Sequence, residues 1–252
     1  MDQGVEELSK NRTDSMTVME HLGELRSRLL VFLVAFVIAI VFCFLQADYL
    51  RYLLVSPVEG LSLVYFSPPE AFMVNLRLAL IGGVVLASPV FIYEVLAFLF
   101  PGLYSNERRF LLGVTGGGVT LFVLGIVFAY LVVLQLVLHF FLRFETTQLS
   151  PMFNVSSYLS FVFTLLLTFG LFFQLPLVMW VLAKLDLISL DVLRRNRKFA
   201  LLIMLGASAL ITPPDIISQL MLIVPLMLLY EVGLFAVKIT KKKKLEEEIT
   251  EV

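Results

Sequence analysis

Repeated uncharged runs of apolar residues constrain this chain more than any other feature of its sequence. The first run, residues 29–47, has 19 consecutive residues without a charge, and about 20 apolar residues cross the ~30 Å hydrocarbon core of a bilayer as a helix. Of the 252 residues, 60% are hydrophobic and 15% are charged, whereas soluble domains have about 25% charged residues. The chain is therefore an integral protein of a lipid bilayer, and we expect no nucleic-acid partner.

The uncharged stretches predict an all-α polytopic fold with six transmembrane helices. The last two spans are short: sixteen residues lie between Lys198 and Asp215, and they reach about 24 Å as a helix. A single re-entrant hairpin over residues 199–237 is the alternative for this part of the chain. The predicted spans are residues 29–47, 70–98, 110–138, 155–183, 199–212 and 215–237.

The positive charges predict the orientation of the chain in the membrane. Sixteen of the 19 Lys and Arg residues lie at the termini or in loops on the same side as the termini. The other side holds only Arg51 and Arg143, and Arg77 lies within the second span. Because cytoplasmic loops are enriched in Lys and Arg, we expect a multi-pass protein of the cytoplasmic (inner) membrane with both termini in the cytoplasm.

The predicted spans divide the chain into three parts. Residues 1–28 form a cytoplasmic N-terminal segment, residues 29–237 form a single transmembrane domain, and residues 238–252 form a charged cytoplasmic tail.

Two acidic residues stand among the predicted cytoplasmic arginines. Glu24 lies four residues before Arg28, and the simplest interpretation is an i,i+4 ion pair worth a few tenths of a kcal/mol. Glu107 lies at the predicted start of the third span, where the helix dipole stabilises a negatively charged side chain. The alternative is that both carboxylates bind a cationic ligand. Such a site would prefer arginine to lysine, because a guanidinium binds a carboxylate through two parallel hydrogen bonds.

Polar residues within the spans are a second group of candidates. Gln174 lies in the middle of the fourth span, where a polar group is costly and usually functional. A buried amide there requires a partner on another helix, from this chain or from a second one. Glu94 and Arg77 lie nearer span ends, where snorkelling of the side chain is a sufficient explanation.

Signals for catalysis are weak, so we expect no enzymatic activity, no metal site and no cofactor. The two histidines, His21 and His139, fall on opposite sides of the membrane in the predicted topology. Residues 206–209 match the G-x-S-x pattern of an intramembrane serine protease, but no histidine follows them as a base. An intramembrane hydrolase remains an alternative. So does a small-solute secondary transporter or channel, which needs a polar path through the midplane.

Five segments of the chain together resemble the TatC family, the polytopic core of the twin-arginine protein translocase. They are HLGELRSRLL (21–30), SPV (56–58), FPGLYSNERR (100–109), SSYLSFV (156–162) and ITPPDIISQ (211–219). The segments occur in family order, and the resemblance covers roughly residues 19–237. It implies six spans with both termini inside.

The resemblance implies a receptor for signal peptides that carry consecutive arginines on folded cargo proteins. It also implies transport driven by the proton-motive force, in homo- and hetero-oligomers with TatB and TatA or with one dual-function TatA-type protein. The signal-binding acids of the family match Glu24 and Glu107. The other residues expected in the same patch are His21, Leu25, Arg26, Pro101, Leu103, Tyr104 and Arg108.

Four further positions take their expected roles from the resemblance. Pro57 and Asp215 match family positions needed for function or assembly on the external face. Gln174 stands where many members carry Glu, at a position implicated in contacts with partner helices, and Glu94 stands where an amide is common. We assign both to partner-helix contact. A glutamine can still donate and accept hydrogen bonds there, but it cannot serve a role that requires protonation.

Overall fold

The long uncharged runs form helices in hydrocarbon, because a helix satisfies the hydrogen bonds of its backbone within its own segment. The computed structural model describes residues 18–56, 62–99, 108–143, 152–211 and 216–250. Its helices are α1 (Val18–Leu45), α2 (Ala47–Val55), α3 (Pro68–Leu99), α4 (Arg108–Phe128), α5 (Leu134–Leu142), α6 (Val155–Phe172), α7 (Leu175–Lys184), α8 (Leu190–Arg195), α9 (Arg197–Ile211) and α10 (Ile216–Thr250). The strands are β1 (Ser62–Val64) and β2 (Met152–Asn154), and a π-helical turn, Ala129–Val133, joins α4 to α5.

The all-α membrane fold predicted from the sequence is confirmed. Within the described ranges, five segments are long and apolar enough to cross a membrane: Leu22–Leu45, Pro68–Phe98, Phe110–Leu142, Val155–Lys184 and Gln219–Lys242. The fifth predicted span corresponds to α9, which is short as expected, with 15 residues. The sixth corresponds to α10, whose apolar segment Gln219–Lys242 has 24 residues; the helix itself has 35 residues, because it continues through the lysine run beyond the apolar stretch.

The loops contain structure that the sequence analysis does not predict. The helix α2 follows α1 directly, and β1 pairs in parallel with β2 although about 90 residues separate them, with Leu63 opposite Phe153. This pairing ties the loop after the first span to the loop after the third. Each strand has only three residues, too few to show a period-2 pattern in the sequence.

The centre of the bundle is occupied by α6. Leu159, Val162, Leu165 and Phe169 on this helix have no exposed surface, and their spacing of three or four residues places them on adjoining turns. At Gly125, the helix α4 approaches α6 so closely that a Cβ atom would lie 2.8 Å from the backbone oxygen of Phe169. The absence of a side chain at this position is therefore what allows the two helices to meet.

The first helix lies at the edge of the bundle and packs antiparallel along α3. Only 11% of its most apolar window is buried, against 33–44% in the other four spanning segments. Contact with α3 is close at Gly83, where a Cβ atom would lie 2.7 Å from Cγ1 of Ile40. Further along, the rings of Phe32 and Phe91 are in contact, with centroids 5.0 Å apart and planes tilted by 56°. This antiparallel packing brings the start of α1 to the end of α3.

Tyr158 connects α6 to α2, the helix in the loop after the first span, and its hydroxyl is expected to stabilise the fold. The hydroxyl donates to the backbone oxygen of Leu54 at 2.8 Å, and the Tyr158 side chain is only 4% exposed. We expect Tyr158→Phe to lower the free energy of unfolding by about 1–2 kcal/mol, because it leaves a buried carbonyl without its donor. Thermal unfolding in detergent measures this loss. The control is Tyr52→Phe on α2, where the ring is 70% exposed; equal stability of the two variants would contradict the prediction.

Candidate functional site

The start of α1 carries the ion pair that the sequence predicts. Glu24 and Arg28 lie one turn apart, and both Nε and Nη2 of Arg28 donate to the same oxygen, Oε1 of Glu24, at 2.9 and 2.5 Å. The predicted i,i+4 ion pair between Glu24 and Arg28 is thus confirmed. It does not describe the whole site, because the arginine has another carboxylate partner.

That partner is Glu94, near the end of α3. Nη1 of Arg28 donates to Oε2 of Glu94 at 3.0 Å, across 66 residues of sequence. Glu94 is predicted, with Gln174, to contact a partner helix, and this stays a prediction; within the chain its carboxylate lies on the same arginine as that of Glu24. We call Glu24, Arg28 and Glu94 the carboxylate cluster.

The carboxylate cluster is largely shielded from solvent and carries an excess of negative charge. The side chains of Glu24, Arg28 and Glu94 are 22%, 16% and 14% exposed. Two carboxylates and one guanidinium give a formal charge of about −1 when all are ionised. In the described part of the chain, Oε2 of Glu24 is buried and has no hydrogen-bond partner. A buried carboxylate oxygen in this state favours an added donor, because an unsatisfied buried polar atom is costly.

The structure describes some of the other predicted patch residues and not others. Leu25 and Arg26 lie on α1 beside Glu24 and are exposed. His21 and Arg108 belong to the first turns of α1 and α4. The predicted residues that lie outside the described ranges are Pro57, Pro101, Leu103, Tyr104, Glu107 and Asp215. The expected meeting of Glu24 with Glu107 therefore stays a prediction.

Gln174 has a partner within its own chain. It lies at the break between α6 and α7, and its Nε2 donates to the backbone oxygen of Gly118 on α4 at 3.0 Å. Gly118 has no room for a side chain, since a Cβ atom there would lie 2.8 Å from Cγ2 of Ile92. The amide of Gln174 thus joins two spans of this chain.

A second polar region lies about 25 Å from Glu94 along α3, by the helix rise from residue 94 to residue 77. There Arg77 donates to the backbone oxygen of Ser156 at 2.5 Å and to the hydroxyl of Ser160. It lines an open cavity of 850 Å³ together with Glu70 and Thr164. Arg77 therefore binds the first turns of α6 directly.

The residues considered for catalysis are engaged in local contacts. The hydroxyl of Ser208 is buried and donates to the backbone oxygen of Leu205 at 2.8 Å, within α9. Nδ1 of His139 lies 2.8 Å from the backbone oxygen of Gln135, one turn earlier on α5. Among the described residues, no group of three His, Cys, Asp or Glu side chains could hold a metal ion.

Comparisons with known proteins agree on one family. Residues 20–225 match the sequence profile of the Sec-independent protein translocase protein TatC. The chain is 42% identical over 236 residues to the TatC protein of Carboxydothermus hydrogenoformans, covering 92% of this chain and 97% of that one. It is 33% identical to TatCy of Bacillus subtilis, covering 94% of each.

Solved structures give the same result for the fold. A crystal structure of a twin-arginine translocase receptor, TatC, superposes with a TM-score of 0.79 at 36% sequence identity. The match covers 88% of this chain and 100% of the crystallised chain. A crystal structure of such a receptor in the detergent DDM gives a TM-score of 0.80 at 37% identity, covering 86% of this chain and 98% of that one.

Proposed function

Because the chain belongs to the TatC family and is thus a multi-pass membrane subunit of a Sec-independent protein translocase, we propose that it is the receptor for twin-arginine signal peptides. In this function the carboxylate cluster binds an arginine of the signal peptide on a folded cargo protein. The chain has no catalytic role in this proposal.

The observation that carries the proposal is the state of Glu24. Its Oε1 already binds the guanidinium of Arg28, while its Oε2 is buried and lacks a partner among the described residues. The cluster therefore has the chemistry to bind a guanidinium and one carboxylate oxygen left for a further donor. Glu107, Pro101, Leu103, Tyr104 and Arg108 belong to the proposed patch through the family resemblance.

Two further parts of the proposal concern orientation and assembly. The Glu24 end of the bundle faces the cytoplasm, in agreement with the charge distribution along the chain. Partner helices of TatB and TatA, or of one dual-function protein, dock on lateral faces, and transport uses the proton-motive force. We assign one lateral docking face to an apolar stripe on α10, which faces lipid when no partner is bound and whose members recur every three or four residues: Ile217, Leu220, Val224, Leu228, Val232 and Phe235. Gln174 provides a polar contact in another groove, and Pro57 and Asp215 act on the external face.

The test of the proposed function is the choice between two peptides. A synthetic signal peptide with two consecutive arginines is titrated onto the purified chain in lipid nanodiscs, and a peptide with two lysines at the same positions is the control. We expect the double-lysine peptide to bind at least about 10-fold more weakly, because an ammonium cannot form two parallel hydrogen bonds with one carboxylate. Equal dissociation constants would overturn the receptor function.

Photo-crosslinking of the double-arginine peptide locates the contact. Crosslinks are expected within residues 21–28 and 100–109, and they should decrease when the two peptide arginines are replaced by lysines. Crosslinks spread evenly over the chain would show adsorption to apolar surface and contradict the proposed patch.

A further inference from the structure

The carboxylate cluster already contains a guanidinium, and this points to an exchange step in signal binding. We propose that Arg28 occupies Glu24 in the free receptor and transfers to Glu94 when an arginine of the signal peptide arrives. The inference rests on the proposed receptor function and gives two residues of the carboxylate cluster separate roles in it. Arg28 is an internal competitor for the signal, and Glu94 is the residue that sets the strength of this competition.

The geometry of Glu24 shows why an exchange is required. Arg28 directs both Nε and Nη2 to Oε1 of Glu24, so its guanidinium approaches from one side of the carboxylate. A bidentate arginine needs both oxygens of a carboxylate at once. Oε2 lacks a partner but is buried, so the incoming guanidinium must first displace the groups that cover it, and it gains the second bond only when Arg28 leaves Oε1.

Glu94 provides the place to which Arg28 moves. Nη1 of Arg28 already lies 3.0 Å from Oε2 of Glu94, so the arginine keeps one charge-assisted hydrogen bond throughout the exchange. Removing one partner of a mostly buried charge pair is costly because the other charge stays behind without compensation. The carboxylate of Glu94 lowers this cost, and Glu24 becomes available to the signal.

The same arrangement gives the receptor its selectivity. A free pair of carboxylates would attract any cation, whereas the internal guanidinium must be displaced by a ligand that binds Glu24 better than Arg28 does. A peptide arginine meets this condition and a lysine does not, because only the arginine makes the bidentate contact. The internal competitor thus lowers the affinity for both ligands and leaves arginine as the ligand strong enough to displace it.

A double-mutant cycle tests the exchange with the double-arginine peptide and the full chain in nanodiscs. We expect Glu94→Gln to weaken binding about 10-fold, because Arg28 then stays on Glu24. We expect Arg28→Gln to bind the double-arginine peptide at least as tightly as the unchanged chain and to bind the double-lysine peptide more tightly. The double variant should return to within about 3-fold of the unchanged chain, since the competitor that Glu94 removes is no longer present.

The opposite pattern would show that Arg28 and Glu94 only fasten α1 to α3. In that case Arg28→Gln weakens binding of the double-arginine peptide, and the double variant binds no better than Glu94→Gln alone. If Arg28→Gln does not fold, Arg28→Lys replaces it in the cycle. It retains the charge but loses the forked contact with Oε1, so it should partly restore binding in the Glu94→Gln chain, and a lack of restoration overturns the inference.

The matched control removes an interhelical ion pair elsewhere. Glu231→Gln on α10 takes away the carboxylate that accepts from Nη2 of Arg197 at 2.8 Å, outside the carboxylate cluster, and it should leave both dissociation constants unchanged. Binding of the two peptides to the wild-type chain distinguishes the receptor proposal from the exchange proposal. Equal binding of the two peptides there removes the receptor function, whereas a preference for arginine without restoration in the cycle removes only the exchange.

Discussion

Replacement of Glu24 by glutamine is expected to weaken binding of a double-arginine signal peptide by at least about 30-fold. Glutamine keeps the size of the side chain and one oxygen acceptor, but it cannot offer two charged oxygens to a guanidinium. Truncating one partner of a buried, hydrogen-bonded charge pair costs about 2–5 kcal/mol, and about 2 kcal/mol corresponds to a 30-fold change in the dissociation constant. The loss should be larger than that of Glu94→Gln, because Glu24 contacts the peptide directly in the proposed site.

The measurement is the dissociation constant of a fluorescent double-arginine peptide, with the variant chain in nanodiscs. Glu24→Asp is the informative companion, since it retains the charge and moves it by one methylene group; it should lose less affinity than Glu24→Gln. Thermal unfolding of each variant shows that α1 still packs on α3, where Arg28 keeps its bond to Glu94. A Glu24→Gln chain that binds the peptide as tightly as the unchanged chain would refute the role of this carboxylate.

The second large effect concerns the fold. Gly125→Leu is expected to lower the free energy of unfolding by about 3 kcal/mol, the upper part of the usual range for overpacking. A Cβ atom at this position would lie 2.8 Å from the backbone oxygen of Phe169 and 2.9 Å from Cβ and Cγ of Phe173. A backbone atom cannot rotate away as a side-chain end can, so α4 and α6 must separate, and the buried face of α6 loses its contacts.

Gly116→Leu is the control for this variant because it makes the same chemical change on the same helix. A Cβ atom at Gly116 would meet nothing within 4 Å, and leucine favours a helix more than glycine does. We expect Gly116→Leu to leave the melting temperature in detergent unchanged or slightly higher, and Gly125→Leu to lower it clearly. Similar melting temperatures for the two variants would show that α4 and α6 can adjust at Phe169 without a loss of stability.

The carboxylate cluster shows where sequence reasoning reaches its limit within one site. The pair of Glu24 and Arg28 is predictable because a spacing of four residues on a helix fixes their proximity. Glu94 is not, because its distance from Arg28 depends on how α1 packs against α3 along their whole length. Glycines at positions 82 and 83 are a sign of that close packing, but they do not show which residues meet at the far end.

Gln174 shows the same division. Placing an amide in hydrocarbon is costly, so Gln174 is predicted to have a hydrogen-bond partner. The sequence leaves open whether this partner comes from the same chain. The contact with the backbone of Gly118 depends on the approach of α4 to the break between α6 and α7. A pattern of side chains in the sequence cannot predict that the acceptor for Gln174 is a backbone oxygen.

The sequence by itself determined that this chain is an all-α membrane protein, approximately where its spanning helices lie, and to which family it belongs. These properties follow from hydrophobicity, helix periodicity and short motifs, which act over neighbouring residues. Only the tertiary structure decided that Glu94 shares an arginine with Glu24, that β1 pairs with β2 and that α10 continues as one helix of 35 residues. The first two contacts join residues 66 and about 90 positions apart, and they form only where packing brings distant segments together. The length of α10 depends on its last turns staying helical after the apolar residues end.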